Sequence, residues 1–175
     1  KATEKNTENY KEIIFEGYAP HGIAVLIETA TDNNNRTVAN IRSYFNKAGG
    51  NLSTSGSVEF MFEHLCNFRI SKNDLEIEKI ELEFIDYGVE EVFLDDNEIH
   101  LYASFDHFGV IQRELENRNL EIISSGFERI PQLVKSLNFE QQTEVLDLIE
   151  KIEDDMDVQN VYHSLDIKKT KSFLP

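Results

Sequence analysis

Apolar positions recur along this chain with two periods, and each switch between them marks an element boundary. "YKEIIFEGY" and "IAVLIETAT" hold β-branched and aromatic residues in short runs. They predict two strands joined at "APHG", where Pro20 and Gly22 supply turn chemistry. From Asn33 the period becomes helical: Val38, Ile41 and Phe45 share one face at three- and four-residue spacing. Asp32 or Asn33 can cap that helix through a side-chain oxygen, and Gly49 stands where a helix ends in a left-handed residue. "SVEFMFEHLCNFRI" returns to strand, with Val58, Phe60 and Phe62 in alternation. "DLEIEKIELEFIDYG" fits both periods, but its length and closing Gly88 favour a helix. "EEVFLDDNEIHLYAS" predicts a hairpin turning at Asp95, Asp96 and Asn97. Ser104 can cap a helix through "FDHFGVIQRELENRN", and "LEIISSGFERIP" is a strand ended by Pro131. Asn138 can cap a helix whose stripe is Val145, Ile149, Ile152 and Met156, and "VQNVYHSLDI" is the last strand.

Strands and helices interleave with hairpins and without a long βα repeat. That order predicts an α+β fold built from antiparallel sheets with helices covering one face of each. Two ferredoxin-like α/β sandwich units are the natural reading.

Charge changes the picture. The 175 residues carry 17 Lys and Arg against 33 Asp and Glu, a net charge of −16. Residues 1–70 hold seven basic against eight acidic side chains, residues 71–138 six against sixteen, and residues 139–175 four against nine. Such a chain repels nucleic acid as a whole, so contact with phosphate falls to the nearly neutral first part. No apolar run approaches the roughly 18 residues of a membrane span, and "KATEKNTENY" lacks signal-peptide character. Cys66 is the only cysteine, which excludes an internal disulfide and suits a reducing cytoplasm. Within "FEHLCNFRI" it reads as a buried, inert thiol.

One stretch raises a chemical question. "NKAGGNLSTSGSVEF", residues 46–60, has the glycines and hydroxyls of a phosphate cradle. It lacks the lysine of a Walker loop, and its order runs from helix to strand, so a simple connection is the better reading. On the preceding helix, Arg36, Asn40, Ser43 and Lys47 line the face opposite the apolar stripe, with Arg42 near the stripe's edge. A basic and amide face beside a serine-rich loop is suited to a phosphate backbone, though a solvated helix face has the same pattern. His21, His64, His100, His107 and His163 show no ligand spacing, and the run around Asp154, Asp155 and Asp157 reads as a solvated helix end rather than a calcium loop. No nucleophile and base can be paired, so the sequence supports no catalytic residue, cofactor or metal.

"EGYAPHGIAVLIETATDNNNRTVANIRSYFNKAGGNLSTSGSVEFMF", "RIPQ" and "DDMDVQNVYHSLDI" together resemble the YebC/PmpR family, which includes the mitochondrial translational activator of cytochrome c oxidase. The likeness runs from Tyr10 to Ile167. It implies a discontinuous second domain over residues 10–70 plus 139–167 and an acidic third domain, 71–138, inserted into it. Residues 1–9 and 168–175 are expected as flexible tails, and the family's basic N-terminal helical domain is expected to lie outside this sequence. Ala19, His21 and Ser53 stand where the family usually has glycine, and Ser164 where asparagine is common.

The resemblance implies a non-enzymatic regulator of gene expression, either a DNA-binding transcriptional regulator or a translation factor at the ribosome. Expected partners are nucleic acid, as DNA or ribosomal RNA, and ribosomal proteins, with no membrane. Arg36, Arg42, Lys47, Asn51, Ser55 and Ser57 are the nucleic-acid-binding candidates. The competing expectation is an acidic protein-interaction module, with nucleic-acid binding confined to the family's N-terminal domain.

Overall fold

The computed structural model describes residues 9–167. The expected tails, residues 1–9 and 168–175, lie outside the described residues except at Asn9. The first unit starts with strands β1 (Lys11–Ala19) and β2 (Ile23–Thr31), antiparallel from Lys11↔Thr31 to Ala19↔Ile23. Helix α1 (Asn34–Ala48) follows, then the short strand β3 (Asn51–Ser53), which pairs with β1. Much later in the chain, helix α4 (Phe139–Glu153) leads to β8 (Val158–His163), which pairs with β2. The sheet order is β3-β1-β2-β8, all antiparallel.

Each face of this sheet has its own core. Phe15, Ile23, Val25 and Ile27 pack with Ile41 and Phe45 of α1 and with Val145, Leu148, Ile149 and Ile152 of α4. On the opposite face, Ala24 and Leu26 pack with Val58 and Phe62. Strand β2 is therefore buried from both sides, which is why Ile23 to Ile27 is an unbroken apolar run rather than an alternation. Burial of each large side chain contributes about 1.5–3 kcal/mol.

The second unit contains β4 (Phe62–Ser71), α2 (Ile77–Phe84), β5 (Val89–Asp95), β6 (Glu98–Ser104), α3 (Phe108–Asn117) and β7 (Ile122–Pro131). Its strands lie in the order β5-β6-β4-β7, the ferredoxin-like arrangement of a βαββαβ chain. The β5–β6 turn places Asp96 and Asn97 at φ 55° and 68°, the two left-handed residues a type I′ hairpin needs. Cys66, Phe68, Ile70, Ile99, Leu101 and Ala103 face Ile80 and Phe84 of α2 and Ile111 and Leu115 of α3.

The two compact units divide at Phe62/Glu63 and Ile130/Pro131. Residues 63–70, expected with the first domain, fall in the second unit, where β4 pairs with β6 from Leu65↔Ser104 to Ser71↔Glu98, and residues 131–138, expected with the third domain, fall in the first unit. Alternation identifies a strand without saying which sheet receives it. The strand also starts later than expected: Glu59–Met61 is a turn of 3-10 helix, and Phe60 is 70% exposed instead of sharing a face with Val58 and Phe62. On α1 the centre of the buried stripe is Thr37, Ile41 and Phe45, with Val38 only half-buried.

Candidate nucleic-acid interface

Helix α1 begins where Asn33 accepts the Arg36 backbone N–H at 3.1 Å, satisfying one of the helix's free donors. It ends at Gly49, whose φ of 85° is left-handed, and Gly50 N–H donates to Phe45 O at 2.9 Å. Between these caps, the buried stripe turns a polar face outward.

Arg36 is not free on that face. Its Nη2 donates to Asp157 Oδ1 at 2.9 Å and to Asp32 Oδ1 at 3.2 Å, and its Nε donates to Asp157 Oδ2 at 3.3 Å. The hydrogen bond to Asp157 holds the Arg36 guanidinium above its ordinary pKa against the opposing effect of desolvation. Thr37, fully buried, donates its hydroxyl to Asp157 Oδ2 at 2.8 Å and lies 2.7 Å from Thr31 Oγ1. Asp155 accepts the Tyr44 hydroxyl at 2.7 Å and the Asp157 backbone N–H at 2.8 Å. Burial and then the Asp155 carboxylate push the Tyr44 phenol up to about 12.

The expected solvated helix end is thus corrected. Asp155 and Asp157 are 8% and 2% exposed and tie the turn after α4 to the start and middle of α1. Their burial is affordable because donors meet both carboxylates. Asp157→Asn should cost about 2 kcal/mol, since it weakens charge-assisted bonds while half-exposed Arg36 regains water. Urea unfolding measures this, and a loss under about 0.5 kcal/mol would show that the network is incidental.

The glycine- and serine-rich stretch does gather backbone N–H groups around an anion, but the anion is internal. Glu16 on β1 is 2% exposed. Its Oε2 accepts Gly56 N–H at 2.6 Å, and its Oε1 accepts Val58 N–H at 2.8 Å and Glu59 N–H at 2.7 Å. The carboxylate fills the nest that a phosphate would require. It also pulls the chain across the sheet, so that Val58 covers Ala24 and Leu26. The backbone N–H groups of Val58 and Glu59 are thereby withdrawn from any strand ladder, which explains the late start of β4.

The six candidates therefore divide. Arg36 is paired, and the Ser57 hydroxyl oxygen is buried with no hydrogen-bond partner among the described residues. Asn51 is exposed and donates to Ser53 Oγ at 3.2 Å, and Ser55 is exposed on the loop. Arg42 and Lys47 are exposed on α1 and join no ion pair among the described residues. At 100° per residue they flank the outermost positions, Ala39, Ser43 and Asn46, from opposite sides. Elsewhere, burial pushes the Cys66 thiol up to about 11, which leaves it protonated and unreactive at neutral pH. Burial also lowers the pKa of His163, whose Nδ1 accepts Leu165 N–H at 3.1 Å. No helix among the described residues is long and apolar enough to cross a membrane.

A family profile described as the TACO1/YebC second and third domain matches residues 10–165. A "Probable transcriptional regulatory protein", FP0835, of Flavobacterium psychrophilum is 66% identical over 165 residues, covering 94% of this chain and 70% of that protein. A protein of the same description from Porphyromonas gingivalis is 54% identical over 166 residues, covering 94% and 69%. Among solved structures, the conserved hypothetical protein Aq1575 from Aquifex aeolicus superposes with a TM-score of 0.72 at 29% identity, over 95% of this chain and 69% of that one.

Proposed function

Since the chain belongs to the TACO1/YebC family, we propose that it regulates gene expression by binding rather than by catalysis, and that it meets nucleic acid through the exposed face of α1. The observation that carries this reading is the pair of unengaged cations, Arg42 and Lys47, on a polar helix face within an otherwise acidic protein. Asn51 and Ser55, exposed on the connection that follows the helix, are further neutral donors. Arg36 positions the helix instead of supplying free charge, because Asp157 and Asp32 already compensate it. The target is duplex DNA or ribosomal RNA, both of which present the phosphate that such a face reads without sequence preference.

A salt titration of binding to duplex DNA and to purified ribosomes tests the reading. Arg42→Ala and Lys47→Ala should each weaken binding and lower the salt dependence by roughly one unit of slope. Binding unchanged in the double variant would remove α1 from the interface. The acidic-module alternative draws support from the second unit, where residues 63–130 carry six Lys and Arg against seventeen Asp and Glu. It predicts no retention on heparin, whereas the α1 interface predicts retention that the double variant loses.

A further inference from the structure

The second unit's sheet has one face packed on α2 and α3 and another that meets neither helix. Pairing arranges that second face in rows. Glu91, Tyr102 and Asn67 are register partners in one row, Phe93, His100 and Arg69 in the next, and Asp95, Glu98 and Ser71 in the third. Aromatic rings occupy the middle. Phe93 lies 4.8 Å from His100 with planes 9° apart, and 6.1 Å from Tyr102 with planes 16° apart. Phe93 is 38% exposed, so these near-parallel rings reach solvent.

Carboxylates surround the rings. Burial, then Glu128, then Glu91 raise the Tyr102 pKa, which places both acids within electrostatic reach of its ring. Asp95 is exposed, and Arg69, the only Arg of the three rows, is ion-paired with Glu98 at 3.0 Å from Nε, close enough for charge compensation but without hydrogen-bond alignment at that atom. Glu128 accepts from Asn67 Nδ2 at 2.9 Å, a bond that leaves its second carboxyl oxygen as a further acceptor.

Aromatic side chains on the open face of a βαββαβ sheet are the layout that stacks single-stranded RNA bases. Charge decides against that ligand here, because no unpaired cation on these rows is available for a phosphate, while Glu91, Asp95 and Glu128 would repel it. The same field attracts cations, and an aromatic face adds cation–π attraction. A planar guanidinium matches both features: it stacks on a ring while its N–H fork donates to a carboxylate.

We propose that this face of the second unit binds an extended, arginine-rich segment of a partner protein, with Phe93 and Tyr102 as stacking surfaces and Glu91 and Asp95 as guanidinium acceptors. The site is independent of the α1 interface, and neither reading depends on the other.

The test is fluorescence anisotropy of the full chain with a labelled Arg-Gly repeat peptide, a citrulline-Gly isostere and an oligouridine. The arginine peptide should bind, and the citrulline and uridine probes should not. Phe93→Leu keeps an apolar side chain and removes the ring; it should weaken binding about threefold with an unchanged melting temperature. Glu91→Gln with Asp95→Asn should weaken it about tenfold, while Glu76→Gln with Glu78→Gln on and before α2 should change it less than about twofold. Equal losses from the two neutralised pairs would mean unspecific attraction to an acidic protein, and would overturn the proposal. So would tighter binding of oligouridine, an unaltered affinity in Phe93→Leu, or no arginine-peptide binding at about 100 µM.

Discussion

Glu16→Gln should destabilise the first unit by about 4 kcal/mol, a large effect for a change of one oxygen to an amide nitrogen. The native carboxylate accepts three backbone N–H groups at 2.6–2.8 Å from a position 2% exposed to solvent. An amide retains one acceptor oxygen and turns its own N–H₂ toward at least one of these donors. Buried donors without an acceptor lose their water and gain nothing in return. The damage should spread beyond Glu16, because the same three bonds hold Val58 over Ala24 and Leu26. Hydrogen exchange offers the direct readout: amides of Gly56, Val58 and Glu59 should lose protection together, while those of β6 in the second unit keep theirs. A Glu16→Gln protein within about 1 kcal/mol of the parent would show that water or another group replaces the carboxylate.

The nest also shows which parts of this molecule could be read in advance. Asn33 capping α1, the Asn138–Gln141 capping box on α4 and Gly49 ending α1 depend on residues within one helical turn, so the sequence displays them side by side. The Asp96–Asn97 hairpin is legible for the same reason. Glu16 is different. In "IIFEGY" it occupies a polar position of a strand, the usual mark of a solvent-facing side chain, and its donors lie 40 to 43 residues further on. Arg36 looked like a free cation because Asp157 is 121 residues away. Asp155 and Asp157 looked solvated because a run of acids normally is. One warning was present in β2: "IAVLI" is apolar at every position, which asks for cover on both sides of the sheet when helices supply only one. The loop carrying Val58 is the second cover. Of the six candidates, Arg42, Lys47, Asn51 and Ser55 are exposed outside any ion pair among the described residues, and the proposed interface rests on them.

Gly50→Ala should be comparably severe, about 3–5 kcal/mol, for a different reason. A Cβ built on Gly50 meets Tyr18 O at 2.2 Å and Ala19 Cα at 3.2 Å, both of them backbone atoms. Neither can retreat cheaply. Tyr18 is fixed by pairing with Ala24 on one side and Asn51 on the other, and Gly50 N–H is committed to Phe45 O. Something must give, either the C-terminus of α1 or the β1–β3 pairing. Gly49→Ala is the internal comparison. Gly49 has φ 85° but nothing within 4 Å of a built Cβ, so only left-handed strain remains, worth about 1 kcal/mol. Urea unfolding of the two variants separates close approach from conformational freedom, and equal losses would sink the clash argument. The pair also bears on function. If these glycines serve the fold, Gly49→Ala should bind DNA or ribosomes like the parent at temperatures where it stays folded. A Gly49→Ala protein that is folded yet fails to bind would return the loop to the interface and place the nucleic-acid contact at the helix end instead of along its face.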